Sequence, residues 1–288
     1  MTDSAKDGIT PDEAFSILGN ETRIAIVQAL GETDDSLSFS ALRAAVGTRD
    51  SGKFNYHLNK LVGSFVRRTE DGYELSYAGY RIIGAIHSGT YRQGDRREFD
   101  LESICTVCGA TIEATYENEQ VVIRCPGCER QLSGFGFPPG GFEDRTITEL
   151  THVFGQYVDG IFSFMLRGIC LNCSGKTTGR LIEETERIDD DDAPAYVEVA
   201  CDRCGELTTS HVNGYLLHHP AVASFHYDHG VDLDRADLWN LDLYRNESLR
   251  LLSEDPLSVR SIIELDGDRL EIVVEEDLSV RVGRDEPN

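Results

Sequence analysis

The sequence predicts an α+β protein in which a helical N-terminal domain precedes a strand-rich C-terminal module. Three observations carry that prediction. Apolar residues recur at helical spacing through residues 11–61 and again through 76–87, with one hairpin signal between the two stretches. Beyond residue 97 the pattern turns to short alternating segments. All eight cysteines lie in that second part, as four Cys-x-x-Cys pairs: Cys105/Cys108, Cys125/Cys128, Cys170/Cys173 and Cys201/Cys204.

At 288 residues the chain has room for two or three domains, each with its own core. The net charge of −24 is unevenly spread. Residues 1–97 hold 12 Lys+Arg against 13 Asp+Glu, while residues 98–288 hold 15 against 38. Within 40–97 the sign reverses, with 10 basic and 5 acidic residues. The acidity elsewhere reads as a solvated surface, and the scarcity of lysine resembles that of proteins kept soluble in molar salt. Residues 1–20 contain no apolar signal region. No run of about 18 apolar residues exists, and the richest stretch, Tyr157 to Ile169, carries Asp159 and Arg167. The expectation is a cytoplasmic protein without a membrane span. A cytosolic chain should not hold four disulfides, so metal is the better reading of the cysteines.

Residues 1–10 read as a disordered lead. Thr10 and Pro11 suit the start of a helix carrying Ala14, Phe15, Ile17 and Leu18, broken by Gly19-Asn20. Ile24, Ile26, Val27 and Leu30 mark a second helix ended by Gly31. After a polar loop, Phe39-Ser40 leads into a third helix, Ala41 to Val46, ended by Gly47. The next stretch, Arg49 to Leu61, reads as a helix capped by Asp50 or Ser51. Phe54, Leu58 and Leu61 form its buried stripe, and Lys53, Tyr56, Asn59 and Lys60 fall opposite. That exposed side offers amide and ammonium groups and no carboxylate, which suits base edges and phosphates. Two short helices joined by a Gly-containing turn are the helix-turn-helix pattern. Asp71-Gly72 between two alternating runs then signals a hairpin, which in this position is a wing. Ser76 caps a closing helix through Ile82, Ile83 and Ile86. The candidate DNA contacts are Arg49, Lys53, Asn55, Tyr56, Asn59 and Lys60, with Arg67 and Arg68 on the wing.

Residues 11–88 resemble the ArsR-like winged helix-turn-helix family of prokaryotic transcriptional regulators. The resemblance rests on Leu18-Gly19-Asn20-Glu21-Thr22-Arg23-Ile24 and on Phe54-Asn55-Tyr56-His57-Leu58-Asn59-Lys60-Leu61. With its acidic cysteine-pair extension the chain is similar to haloarchaeal regulators of this kind. The resemblance implies promoter recognition on double-stranded DNA by a homodimer. It does not extend to metal sensing: Ala41 to Val46 contains no cysteine, and the closing helix offers only His87. The effector stays open.

Residues 91–97 read as a linker. Cys105, Cys108, Cys125 and Cys128 then follow the C-x2-C-x16-C-x2-C spacing of a zinc ribbon, in which two tight turns at hairpin tips complete a four-sulfur site. Cys170, Cys173, Cys201 and Cys204 repeat the unit with a 27-residue spacer. The acidic run Asp189 to Asp192 and its neighbours account for the longer spacer as a charged loop insertion. Each ribbon can close on its own pairs, or the pairs can exchange partners. Either way two structural zinc ions per chain are expected. Between the ribbons, Thr146 to Leu166 has helical periodicity and reads as a core helix or a subunit-contact helix.

Residues 205–288 form a further α+β segment. Ala236 to Leu252 suggests a helix with Leu238, Trp239, Leu241 and Leu249. Ser258 to Leu265 and Leu270 to Glu275 alternate around Gly267 as a hairpin, and Leu278 to Val282 adds a strand. His211, His218, His219, His226 and His229 cluster in sequence without an implied metal partner. No phosphate loop, His-Glu-x-x-His or nucleophile turn is present. The expectation is therefore a DNA-binding regulator rather than an enzyme. The alternatives are a zinc-ribbon protein that contacts protein or RNA, and an enzyme using the histidines of 205–252.

Overall fold

The computed structural model describes residues 8–183, 193–236, 238–241 and 248–283. Most of the expected N-terminal lead and the acidic run 189–192 therefore lie outside the described residues. The protein is a mixed α+β molecule with several small sheets. It divides into two units. One runs to Arg92 and takes in Pro138–Gly140; the other comprises Gln93–Phe137 and the chain from Gly141 onward.

The first unit contains α1 (Pro11–Leu18), α2 (Glu21–Gly31), α3 (Phe39–Ala45), α4 (Ser51–Leu61), β1 (Val66–Arg68), β2 (Tyr73–Leu75) and α5 (Tyr77–Ser88). Every helix starts on a polar cap, each of which typically contributes about 1 kcal/mol by satisfying orphan N–H groups. Thr10 and Glu13 form a reciprocal capping box at α1. Asn20, Ser38, Asp50 and Ser76 cap the other four. Helix α3 begins two residues before the expected Ala41, because the Ser38 hydroxyl accepts from Ala41 N–H. The β1–β2 hairpin is antiparallel, with Arg67 opposite Glu74, and a backbone bridge from Leu37 to Tyr73 pins it. Its turn needs Gly72, since a Cβ there would lie 2.2 Å from the Leu37 carbonyl oxygen. Ile26, Leu30, Phe54, Leu58 and Leu61 are buried together as one core. Burying each such side chain contributes about 1.5–3 kcal/mol.

Among the described residues the second unit is built on three antiparallel sheets, each a simple meander. The first is β3 (Arg97–Ile104), β4 (Thr111–Glu117), β5 (Gln120–Arg124) and β6 (Gln131–Gly136). The second is β7 (Thr177–Ile182), β8 (Tyr196–Cys201) and β9 (Leu207–His211). The third is β10 (Leu249–Glu254), β11 (Leu257–Leu265), β12 (Asp268–Glu275) and β13 (Val280–Gly283). Between the first two runs α6 (Ile147–Leu166), and after β9 come α7 (Val212–Leu216) and α8 (Pro220–Asp228). Helix α6 opens with a Thr146–Glu149 capping box and is the packing centre. Its fully buried Phe154 sits 5.1 Å from Phe137 and 5.5 Å from Phe135, ring centre to ring centre and edge to face. One continuous core joins residues from all three sheets to this helix. Among the described residues no helix is long and apolar enough to cross a membrane.

The helix expected over Ala236 to Leu252 does not form in the described residues of that span. Leu238–Asn240 is a single 3-10 turn, and Leu249 begins β10, paired with Ser261 of β11. Residues 237 and 242–247 lie outside the description. The long β11 offers an open edge, and pairing with it buries Leu249. That non-local gain outweighs a weak local helical pattern.

Candidate metal centres and candidate nucleic-acid interface

The eight cysteines converge as two sets of four, Cys105/Cys108/Cys125/Cys128 and Cys170/Cys173/Cys201/Cys204. Within each set the sulfurs all lie within 4.8 Å of one another. The pairs thus close within each ribbon-like unit, and the exchange of partners left open by the spacing does not occur. The shortest cross-pair distances are 3.3 Å (Cys108–Cys125), 3.5 Å (Cys173–Cys201), 3.7 Å (Cys170–Cys204) and 3.8 Å (Cys105–Cys128). All eight thiols are free, since a disulfide needs a separation of about 2 Å. A tetrahedron with metal–sulfur bonds of about 2.3 Å has sulfur–sulfur edges of about 3.8 Å. Both sets fit a structural metal ion of that coordination.

Local backbone chemistry builds the sets. In all four turns the N–H of the leading cysteine donates to the carbonyl five residues on: Cys105 to Ala110, Cys125 to Arg130, Cys170 to Gly175 and Cys201 to Glu206. The residue four after that cysteine is left-handed each time: Gly109, Glu129, Ser174 and Gly205. This turn aims backbone N–H groups at the leading sulfur, as in Arg203 N–H to Cys201 Sγ at 3.4 Å. The N–H groups of Cys204 and Arg203 bring the Cys201 thiol down to about 6. Burial works against ionisation of Cys105, but the N–H groups of Cys108 and Val107, together with the thiols of Cys125 and Cys128, outweigh it and leave the thiol at about 7. Burial pushes Cys125 up to about 12. Four adjacent thiols cannot all ionise without a cation among them, and a divalent ion held there would supply that charge. The leading cysteine of each pair is buried and the second is more open, so both sets sit at the surface of their turns.

In the first unit, Asp50 caps α4 by accepting from Gly52 and Lys53 N–H at 2.8 and 3.0 Å. Those bonds hold its carboxylate below its ordinary range. Of α4, Phe54, His57, Leu58 and Leu61 face inward. Lys53, Asn55, Tyr56, Asn59 and Lys60 are exposed, as are Arg49 before the helix and Arg67 and Arg68 on β1. The Lys60 ammonium lies 5.8 Å from the Tyr56 ring centre, a cation–π contact along the helix surface. Arg67 is not free: it pairs with Glu74 across the hairpin at 2.9 Å. Arg68 lies 5.8 Å from the Tyr73 ring centre.

The histidines do not converge, and among the described residues only the two cysteine sets gather enough ligands for a metal. His219 caps α8, its Nδ1 accepting from Ala221 N–H beside Pro220. His226 and His229 donate from Nδ1 to the carbonyls of Val222 and Phe225. His218 Nε2 lies 3.3 Å from Asp159 and His229 Nε2 lies 3.2 Å from Asp268, carboxylate partners too distant in sequence to be anticipated.

The molecule is thus an α+β protein whose larger unit carries two four-cysteine sets capable of holding metal. It belongs to the family defined by the domain of unknown function DUF7351, whose model matches residues 102–280. A second domain of unknown function, DUF7347, matches residues 11–86. The stretch between the two matches contains the boundary between the units, after Arg92. No curated protein matches the chain.

Proposed function

We propose that the protein is a cytoplasmic DNA-binding transcriptional regulator. Its first unit acts as a winged helix-turn-helix domain of the ArsR-like kind, and its second holds two structural zinc ions. The observation that carries the reading is the outer face of α4. Five exposed side chains there are cationic, amide or phenolic, and the helix has no carboxylate in a chain of net charge −24. The short α3–α4 connection, the hairpin directly after α4 and the two arginines on it support the same reading. Zinc suits a tetrahedral four-thiolate donor set. Phe15 of α1 and Tyr77 and Tyr80 of α5 are 73%, 78% and 52% exposed, which supports a homodimer contact through those helices. A dimer would present two α4 helices to half-sites about one helical turn apart.

A protein- or RNA-binding role has one observation in its favour: Ile104, Val107, Ile169 and Leu171, beside the cysteine turns, are exposed. Footprinting the full-length protein on genomic DNA separates the two. The regulator reading expects a discrete protected site, and Asn59→Ala should cost about 1–3 kcal/mol there while leaving random DNA unaffected. Absence of any protection from low to molar salt would give the interaction role its place.

A further inference from the structure

A cavity of about 550 Å³ lies in the second unit between β6 and β9. Every residue from Gln131 to Gly136 and from Glu206 to His211 lines it. A strand shows a sheet face through alternate residues, so two unbroken runs mean that strand edges look inward. Both strands are indeed edges of their sheets, and an edge presents backbone N–H and C=O groups outside the ladder. Helix α6 and the Leu238–Asn240 turn close the remaining sides. They bring Tyr157, Phe162 and Trp239 to the wall, with Phe135 from β6. Among the described residues the lining contains two carboxylates, Asp159 and Glu206, and no lysine or arginine. Asp159 has His218 beside it at 3.3 Å, but burial lowers the pKa of that ring, which favours its neutral form. Burial raises the pKa of Asp159, an upward shift that Asp234 adds to and that His218 and Arg167 oppose. The site is thus aromatic on its walls, carries two acidic groups and is rich in backbone hydrogen-bonding groups, within the size range of small-molecule sites.

We propose that this cavity binds a small organic cation: a planar aromatic body held among Tyr157, Phe162 and Trp239, bearing an ammonium group that pairs with Asp159. The outer edges of β6 and β9 meet its other polar atoms. The inference concerns the cavity alone and does not depend on DNA binding. It is tested by calorimetric titration of metal-loaded, full-length protein with tryptamine, and with indole-3-acetate as the anionic counterpart. Tryptamine should bind saturably with one site per chain, and indole-3-acetate at least about ten-fold more weakly, as expected when a charge-assisted hydrogen bond is lost. Asp159→Asn should weaken tryptamine by a similar factor. Gly134→Leu, at a lining position where a Cβ meets only the flexible end of Gln131 at 3.3 Å, should weaken tryptamine by adding bulk beside the cavity. Circular dichroism melts establish that both variants are folded. If either variant unfolds, the comparison of the two ligands on the unaltered protein still decides. No saturable binding of tryptamine, or equal affinity for the two ligands, would overturn the proposal.

Discussion

Replacing a single sulfur, Cys125→Ser, should unfold the second unit and spare the first. Cys125 is fully buried, and its sulfur lies 3.3 Å from that of Cys108. A structural site of this type typically contributes about 10–16 kcal/mol. The whole net stability of a domain is about 5–15 kcal/mol, so losing the site removes a quantity as large as the margin that keeps the unit folded. Cys125 and Cys201 belong to the same continuous core as Phe154, so the loss should run past Gly136 and through the remaining sheets. The core of the first unit, with Ile26, Phe54 and Leu58, is separate and should hold. Two measurements check this: metal content per chain, and amide exchange resolved along the sequence. Metal should fall from two ions to one or none, with protection lost over 97–136 and beyond but kept over 21–61. A variant that keeps full protection across 97–136, or unaltered protein that stays folded after chelation with no metal bound, would refute the reasoning.

Gly109 has φ +74 in the first cysteine turn, with nothing within 4 Å of where a Cβ would stand. Gly109→Ala should therefore cost about 1–2 kcal/mol through backbone strain alone, read as a lower denaturation midpoint with metal content unchanged. His57 is buried within α4, and burial, then Arg23 and Lys53, lower its pKa. The unfolded chain then binds the extra proton more readily than the folded one, so the first unit should lose stability as pH falls below about 6.5. His57→Gln should flatten that limb, and an unchanged pH profile would count against it.

How legible the fold was depended on the range of the interactions involved. The cysteine sets could be read because each turn is built within six residues and its hydrogen bonds are local, from Cys105 N–H to the Ala110 carbonyl and likewise in the other three. The hairpin around Gly267 could be read because burial alternates along β12 as the sequence does. The stretch 236–252 was misread because Leu249 takes its state from β11, a partner it meets only through tertiary pairing. Helix α8 had a local signal that passed unused: His219 followed by Pro220 is a cap followed by a first-turn proline. The cavity had none. It exists because two sheet edges 70 or more residues apart come to face each other, and Asp159 reads in the sequence as one more acid among 51 Asp+Glu.

Charge distribution makes the salt dependence of DNA binding diagnostic. If Arg49, Lys53, Lys60, Arg67 and Arg68 all hold phosphate, log K should fall against log salt with a slope of about −0.9 per contact, or roughly −4 to −5 per subunit. Arg67 must first leave Glu74, but an exposed pair of this kind is worth only about 0–1 kcal/mol, so its contact survives. Residues 98–288 act in the opposite sense, since they carry −23 and repel the same phosphates. That repulsion is felt where the Debye length is about 10 Å, near 0.1 M, and is almost gone at about 3 Å, near 1 M. The two effects cross, so affinity should first rise with salt and then fall, unlike the steady decline of a basic DNA-binding protein. A binding titration of the full-length protein on its protected site, from 0.05 to 2 M potassium chloride as rough limits, reads the curve directly. A straight line of slope near −5 would mean that the acidic unit is not felt at the interface. A flat line would remove the phosphate contacts, and with them the role assigned to Lys53, Lys60 and the hairpin arginines.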